Sequence, residues 1–144
     1  MGYSLETILY RENTVIDLID KDLDACYEVS AKLFDRISVR SGSEEVLAIV
    51  KTINHDLEQL KINLESRIMV LESPEKPGNI GALLRTAAAA GMDAVIIANP
   101  KTDLYHPHII RNSLGGVFSI PVAMATSDNV ISFLKKNSFN IIVT

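Results

Sequence analysis

One arginine stands among alanines and leucines in the stretch PEKPGNIGALLRTAAAAG, which covers residues 74–91. If Asn79 caps a helix, then Gly78, Gly81 and Arg85 share one lane along it, because residues three and seven positions apart lie on the same side of a helix. The two glycines would leave space beside the arginine, and the free N–H groups of the helix start attract anions. The spacing therefore fits an electropositive hollow that could hold a phosphate or a nucleotide.

The same stretch also fits a helix that only packs on a sheet. A regular apolar stripe is formed by Ile80, Leu83, Leu84, Ala87 and Ala88. In that case Arg85 would pair with Glu72 or Glu75, and Asn79 would serve only as a cap. The glycine spacing also does not match the G-x-G-x-x-G pattern of dinucleotide-binding domains. Spacing alone leaves both explanations open, with packing the more common of the two.

The length and composition are those of an ordinary globular protein. The 144 residues suffice for one domain, or for one domain and part of a second. Hydrophobic residues make up 47% of the chain and charged residues 22%, which argues against disorder. No apolar run approaches the roughly 20 residues that cross a bilayer, and the N-terminus lacks the pattern of a secretory signal. A single cysteine, Cys26, cannot form an internal disulfide, so we expect a cytoplasmic protein without membrane contact.

The charge is distributed unevenly between the two halves. The net charge of −4 argues against strong nonspecific binding of nucleic acid. Residues 1–66 carry seven basic and thirteen acidic side chains, whereas residues 67–144 carry seven basic and five acidic ones. The second half is therefore the better place for an anionic ligand.

The second half alternates regularly between strand and helix patterns. Short apolar runs rich in β-branched residues predict strands, and periodic segments with caps predict helices. The predicted strands are 67–72, 93–98, 117–124 and 139–144, and the predicted helices are 79–90, 106–116 and one that Ser127 or Asp128 caps and that ends at about Lys136. This order predicts an α/β fold with a parallel sheet, flanking helices and right-handed crossovers.

The first half is less regular. Residues 14–38 predict a helix or a helix-turn-helix, and a turn follows around Gly42. The apolar run 46–50 predicts a buried strand. Residues 51–66 are polar and weakly periodic, so we interpret them as a linker with some helical character.

Two features concern the limits of the domains. We predict a boundary near Glu65, which separates a domain over 1–65 from one over 66–144. The last predicted strand has no helix after it, although a parallel sheet needs cover on both faces. We therefore expect that another chain covers it or that this sequence is a piece of a longer protein.

Residues 66–100, SRIMVLESPEKPGNIGALLRTAAAAGMDAVIIANP, resemble the first signature of a known family. It is the SPOUT superfamily of RNA methyltransferases, in its SpoU/TrmH-type ribose 2'-O-methyltransferases. The matching residues are Pro77, Asn79, Gly81, Arg85, Thr86 and Gly91. The next segment, TDLYHPHIIRNSLGGVFSIPV, is similar to the Arg-x-Ser-x-Gly helix that follows in that family. Residues 27–50 resemble the end of the small α/β domain that often precedes the catalytic domain and binds the RNA substrate.

The resemblance implies transfer of a methyl group from S-adenosylmethionine to a ribose 2'-hydroxyl of rRNA or tRNA, by a homodimer. It assigns the proton step to Arg85, assisted by an RNA phosphate. Asn79 would be a second catalytic residue, which orients the ribose or holds Arg85. Because arginine stays protonated at physiological pH, our hypothesis is that Arg85 mainly binds phosphate and polarises the hydroxyl.

Five further residues are candidates for RNA contact. Gly78 and Gly81 would border the anion hollow. Arg111, Asn112 and Ser113 precede a pair of glycines. They are either helix-surface residues or contacts to RNA or to a partner subunit, and both interpretations stay open.

The histidines and the cysteine favour structural roles over a metal site. His106 and His108 flank Pro107, but no cysteine or acidic cluster accompanies them. A helix cap and a surface histidine are therefore more plausible than a metal pair, and we predict no metal. We interpret His55 and Cys26 as structural residues.

The family pattern continues beyond the signatures found here. A Gly-x-Glu-x-x-Gly loop and a final Ser-Leu-Asn segment, which form most of the cofactor site, should follow Thr144. We expect Thr144 at best to begin the first cofactor loop, and the 144-residue chain to be an inactive piece of the enzyme. Alternatives from other classes are a non-catalytic RNA- or nucleotide-binding module and a structural half that completes its sheet with a second polypeptide.

Overall fold

The structure, a computed structural model, describes residues 2–14, 25–39 and 44–143. Its contacts divide the chain into two units, Gly2–Ile53 and a second one that begins at Asn54. In the described part of the chain, no helix combines the length and the apolar character needed to span a membrane.

The described residues of the first unit form a small mixed sheet with one helix. Its elements are β1 (Leu5–Arg11), β2 (Cys26–Val29), α1 (Ala31–Ile37) and β3 (Val46–Val50). The strand order is β2-β1-β3, with β1 parallel to β2 and antiparallel to β3. Ser30 caps α1 by accepting a hydrogen bond from the Leu33 N–H, and Ile8 and Phe34 are buried.

The predictions for the first half were partly wrong. The predicted helical segment contains the strand β2, because Tyr27 pairs with Leu9 of β1, a distant partner that a local period cannot reveal. β1 itself was missed, since its apolar residues 8–10 are consecutive and show no alternation. β3 is confirmed as a strand, but Val46 and Ile49 are exposed rather than buried. The predicted turn at Gly42 lies outside the described residues, as do residues 15–24.

The second unit is a parallel α/β sandwich. Its strands are β4 (Ile68–Glu72), β5 (Ala94–Ala98) and β6 (Val122–Ala125), all parallel and in the order β4-β5-β6. Its helices are α2 (Pro77–Ala89), α3 (Pro107–Ser113), α4 (Gly116–Ser119) and α5 (Ser127–Lys136). The predicted parallel sheet with flanking helices is confirmed.

The central strand β5 shows why both faces of this sheet are covered. All five of its residues are buried, and they alternate between two cores. Val95 and Ile97 pack with residues of α2, α3 and α4, whereas Ile96 packs with residues of α5 and of a 3₁₀ turn over Leu57–Gln59. A strand buried on both faces is uniformly apolar, as expected for a parallel sheet. Helices α2, α3 and α4 therefore form one layer, and α5 belongs to the other.

Two predicted strands of the second half differ from the structure. Residues 116–119 form α4 rather than a strand, because the left-handed Gly115 (φ 87°) lets a new helical turn start at Gly116. The strand begins only at Val122. Residues 139–143 are irregular instead of forming a fourth strand, and they pair with no described strand.

The segment before β4 belongs to the second unit, whereas the prediction had placed a boundary near Glu65. The Met124 N–H donates to the carbonyl oxygen of His55 over 2.7 Å. The buried His55 ring also bonds through Nδ1 to the carbonyl oxygen of Val122 (2.8 Å) and through Nε2 to the Tyr105 hydroxyl (2.7 Å). Because a carbonyl oxygen only accepts, Nδ1 carries the proton and Nε2 accepts from tyrosine. His55 thus has the structural role that we expected.

We predict that His55→Ala lowers the free energy of unfolding by about 1–3 kcal/mol, since it leaves the buried carbonyl of Val122 without this donor. Urea unfolding of the full-length protein measures the change. His108→Ala is the control, because His108 is exposed. Equal losses in the two variants would contradict the role given to His55.

Candidate functional site

Helix α2 begins earlier than the sequence suggested. Lys76 is its N-cap and Pro77 is its first helical residue, where a proline is favoured because its φ is already set. Asn79 therefore lies within the first turn, with its N–H bonded to the carbonyl of Lys76 (3.0 Å), and its side chain is exposed. The hypothesis that Asn79 caps the helix is wrong. The amide of Asn79 is instead available at the outer surface of the first turn.

The lane of Gly78 and Gly81 is filled by helix α3. A Cβ added to Gly81 would lie 2.8 Å from Cβ of Asn112 and 2.8 Å from the carbonyl oxygen of Ile109. A Cβ added to Gly78 would lie 3.3 Å from the side-chain amide nitrogen, Nδ2, of Asn112. The predicted anion hollow between these glycines is therefore wrong, because α3 occupies the space. Gly78 and Gly81 are helix-packing residues, and Gly81 is too buried to contact RNA.

A third glycine brings α4 against the same helix. A Cβ on Gly116 would lie 3.2 Å from the backbone nitrogen of Arg85 and 3.2 Å from the carbonyl oxygen of Leu84. The backbone of α2 is thus approached closely by α3 in its first half and by α4 at Arg85. These contacts, together with the buried side chains of Ile80 and Leu84, fix the helix on the sheet. Leu83, predicted to belong to the buried stripe, is exposed instead.

The side chain of Arg85 is exposed and has no partner among the described residues. It makes no hydrogen bond or ion pair with any residue in 2–14, 25–39 or 44–143, so the predicted pairing with Glu72 or Glu75 is wrong. An arginine side chain carries substantial rotamer entropy, so an unpaired one gains nothing for stability. A fixed backbone with a free guanidinium is an arrangement suited to binding an anion from solution.

The three candidates at the end of α3 have different environments. Arg111 is exposed, and Asn112 is half-buried against the glycines of α2. Ser113 is only 1% exposed, and its hydroxyl donates to the carbonyl of Ile110 (2.9 Å). The assignment of Ser113 to an RNA-contacting surface therefore does not fit the structure. The structure brings Arg85 and Arg111 into one helical layer, and both guanidinium groups are exposed.

His106 is the cap that was predicted for α3. Its Nδ1 accepts a hydrogen bond from the N–H of His108 (3.1 Å), and the two rings stack with centroids 5.4 Å apart. His108 is exposed, as predicted for a surface histidine. Within the described ranges there is no group of three or more potential metal ligands.

Sequence reasoning missed a polar cluster where the strands end, which we call the carboxyl-edge cluster: Glu72, Ser73, Asn99 and Ser127. One carboxylate oxygen of Glu72 accepts from the Ser73 hydroxyl (2.8 Å) and from the Asn99 amide (3.1 Å). The other accepts from the Ser127 hydroxyl (2.6 Å), which itself accepts from the Asn99 amide (2.6 Å). The sequence contained a signal for this cluster, because its residues end or follow predicted parallel strands, and binding sites lie at the carboxyl ends of such strands.

The cluster holds Glu72 in its charged form. The hydrogen bond from Ser127, followed by that from Ser73, lowers the pKa of the Glu72 carboxyl below its ordinary value. Desolvation opposes these two hydrogen bonds and is smaller than either, and Asn99 and the positive charge of Lys101 add still smaller effects that lower the pKa.

A cleft of about 640 Å³ lies on the other face of the sheet from Arg85. Its walls include Ile68 and Val70 of β4 and Val130 and Ile131 of α5. Since Arg85 is carried by the helical layer on the opposite face, this cleft is not the anion site. Thr144, the one residue assigned to the cofactor, lies outside the described residues.

Known proteins resemble the chain in sequence and in fold. The model of the SpoU rRNA Methylase family matches residues 66–144. The chain is 34% identical over 83 residues to the 23S rRNA (uridine(2479)-2'-O)-methyltransferase of Streptomyces viridochromogenes. This alignment covers 58% of this chain and 29% of that protein. It is 25% identical over 134 residues to the 23S rRNA (guanosine(2553)-2'-O)-methyltransferase RlmP of Bacillus subtilis, which covers 91% of this chain and 51% of that one.

A solved structure has the same fold. The SpoU methyltransferase AviRb from Streptomyces viridochromogenes, in complex with the cofactor AdoMet, matches with a TM-score of 0.80 at 23% identity. The match covers 95% of this chain and 53% of that one. The chain thus spans about half the length of AviRb and of RlmP. Its sequence alignment with the uridine(2479) methyltransferase covers 29% of that protein.

We predict that Gly81→Ala lowers the free energy of unfolding by about 1–3 kcal/mol, because its methyl group would overlap the backbone of α3. Gly78→Ala is the matched control, since its methyl meets only the movable end of Asn112. Its effect should stay within about 1 kcal/mol, because alanine is also the better helix former. Urea unfolding distinguishes the two, and equal losses would contradict the packing role of Gly81.

A second prediction concerns the pH dependence of stability. Because folding lowers the pKa of Glu72, its carboxylate contributes stability above its unfolded pKa, and this is lost as the pH falls through the folded pKa. The difference in unfolding free energy between the wild type and Glu72→Gln should therefore shrink on acidification. A difference that stays constant throughout the acid range would rule out this linkage. Glu75→Gln, at an exposed residue without a hydrogen bond to the described part of the chain, is the control.

Proposed function

This chain belongs to the SpoU rRNA Methylase family, and we propose that the protein transfers a methyl group from S-adenosylmethionine to a ribose 2'-hydroxyl of ribosomal RNA. Two relatives that are named 23S rRNA 2'-O-methyltransferases support the reaction and the substrate. The AdoMet complex of AviRb, a protein of the same fold, supports the methyl donor.

The observation that carries the proposal is the exposed guanidinium of Arg85, which stands on a fixed helix and pairs with no residue in the described part of the chain. A planar guanidinium donates two parallel hydrogen bonds to a phosphate, which fixes the orientation of that phosphate as well as its position. The close contacts at Gly81 and Gly116 hold the backbone of α2, so the bound phosphate would have a defined place relative to the sheet. RNA is the polyanion that such a site would bind.

Arg85 would act on the ribose through this phosphate. The 2'-oxygen must lose its proton, which would pass to water, as its bond to the methyl carbon forms and the bond from that carbon to sulfur breaks. It must also be held in line with that carbon. Arg85 would bind the neighbouring phosphate and polarise the 2'-hydroxyl, which stabilises the negative charge that develops on the oxygen. The exposed amide of Asn79, about 9 Å further towards the helix start, would orient the ribose.

The cofactor is assigned to no described residue. When bound, S-adenosylmethionine supplies an electrophilic methyl group on a positively charged sulfur. Glu72, Asn99 and Ser127 bond to one another at the carboxyl edge rather than presenting a cradle of free groups, so they do not fit the role of cofactor ligands. The described residues of this chain would therefore act on the RNA side of the reaction.

Further RNA contacts and the wider organisation belong to the same proposal. Arg111 would bind a second phosphate, and Asn112 would contact RNA at the edge of the packed glycines. The first unit, Gly2–Ile53, would bind the RNA substrate, and residues 66–144 would be part of the catalytic domain. The resemblance of the sequence to its family supports these roles, a homodimer and a cytoplasmic location.

We predict that Arg85→Ala lowers kcat/KM for RNA by about 10²–10³-fold in the full-length protein, as expected for the loss of a group that stabilises developing charge. Arg85→Lys should restore only part of the rate, because an ammonium group cannot bind phosphate bidentately. The measurement is transfer of a labelled methyl group from S-adenosylmethionine to ribosomal RNA.

The matched control is Lys136→Ala, which removes a positive charge from the opposite layer and should leave the rate unchanged. Normal methylation by Arg85→Ala would contradict the role of Arg85. RNA binding without any methyl transfer by the wild type would instead favour a non-catalytic RNA-binding module.

A further inference from the structure

The chain leaves β4 through a strained residue. Ser73 has a left-handed backbone with φ 45°, which is uncommon for any residue other than glycine. It also precedes Pro74, and a following proline favours an extended conformation. Two local preferences are therefore overridden at one position. Such strain persists only where the surroundings determine the conformation, and it is typical of functional sites.

The neighbouring strand ends in the same way. Asn99 follows β5 with φ 48°, a conformation that asparagine tolerates better than serine. The N–H of Ser73 donates to the carbonyl of Ala98, and the N–H of Asn99 donates to the carbonyl of Ala125, both over 2.8 Å. Ser73 and Asn99, which directly follow β4 and β5, are thus each bonded to the last residue of the neighbouring strand. The two left-handed turns form a continuous edge.

The carboxylate of Glu72 joins the parts of this edge. It accepts hydrogen bonds from Ser73, from Asn99 and from Ser127, the first residue of α5. The N–H of Ser127 also donates to the side-chain oxygen of Asn99 (3.2 Å). One side chain therefore connects the end of β4, the end of β5 and the start of α5.

The turn at Ser73 determines where α2 begins. Only residues 73–76 separate β4 from Pro77, and the prolines at 74 and 77 restrict φ within and directly after this loop. A change of direction at Ser73 would therefore be passed to the first turn of α2 rather than absorbed by the loop. That turn carries Asn79, and Arg85 follows on the same helix.

We infer that Glu72 is a positioning residue: with Asn99 and Ser127 it holds the strained turn at Ser73 and so sets the place of Asn79 and Arg85 for RNA. This role rests on the proposed function. Glu72 touches neither substrate nor cofactor in it, and acts through the loop and α2.

Amide hydrogen exchange in the full-length protein tests the structural part. Glu72→Gln and Ser127→Ala should each raise exchange at the backbone N–H groups of positions 73 and 127 by at least about 10-fold, equivalent to about 1.4 kcal/mol. The N–H groups within the β4–β5 ladder should keep wild-type protection. Glu75→Gln, in the same loop but outside the cluster, should change none of them. Unchanged exchange in Glu72→Gln would overturn the inference.

Methyl transfer to RNA tests the positioning part. A displacement of the site by about 1 Å costs up to about 10²-fold in rate, so kcat of Glu72→Gln should fall far below that of Glu75→Gln at a temperature where both variants are folded. Ser127→Ala should move the acid limb of the pH–rate profile to higher pH, because it removes the main hydrogen bond that lowers the pKa of Glu72. A merely structural role would not produce this shift.

The outcomes separate the inference from the function on which it rests. Wild-type kcat in Glu72→Gln, together with lost amide protection, would overturn the positioning role alone. A wild-type protein that transfers no methyl group to RNA would overturn the proposed function. RNA affinity then decides the inference, since Glu72→Gln but not Glu75→Gln should weaken binding if the cluster sets the place of Arg85.

Discussion

The contact of α2 with α3 at Gly81 is the constraint on which the site depends. A β-carbon at this position would lie 2.8 Å from both the carbonyl of Ile109 and the β-carbon of Asn112, so only glycine lets the helices approach this closely. Gly116 allows the same approach of α4 at Arg85. Packed backbones are difficult to displace, because no flexible side chain lies between them to adjust. The orientation of α2, and of everything it carries, follows from these contacts.

In helix α2, the residues that stabilise the fold differ from the residue that we assign to function. The buried residues Ile80, Leu84 and Ala87 hold α2 on the sheet, whereas the side chain of Arg85 makes no hydrogen bond or ion pair with the described residues. At the carboxyl edge, the strain at Ser73 is offset by hydrogen bonds to Glu72 and to the backbone of Ala98. In the proposed function, both arrangements hold a phosphate-binding group in place before RNA arrives, which reduces the ordering cost of binding.

The sequence allowed the fold class to be predicted, but not the use of its glycines. The uniformly apolar β5 and the periodic α2 and α5 are local signals, and these elements were predicted. Their caps were not, because Asn79 lies within α2 and Thr126, rather than Ser127 or Asp128, caps α5. The parallel pairing of β2 with β1 depends on a distant partner, so a helix was predicted there instead. Gly78 and Gly81 were expected to make room for a ligand, and the structure fills that room with α3. Spacing shows that side chains are absent from a lane, but not what occupies it.

The central claim is that the layer of α2 and α3 faces RNA through Arg85 and Arg111. A direct test is to follow the arginine Nε–H signals of the full-length protein by NMR while a short ribosomal RNA fragment is added. The account predicts that the signals of Arg85 and Arg111 shift together to saturation. Arg67 directly precedes β4, and its side chain donates a hydrogen bond to the carbonyl of Gly91, so its signal should stay in place. A shift of Arg67 with no change at Arg85 would contradict the account.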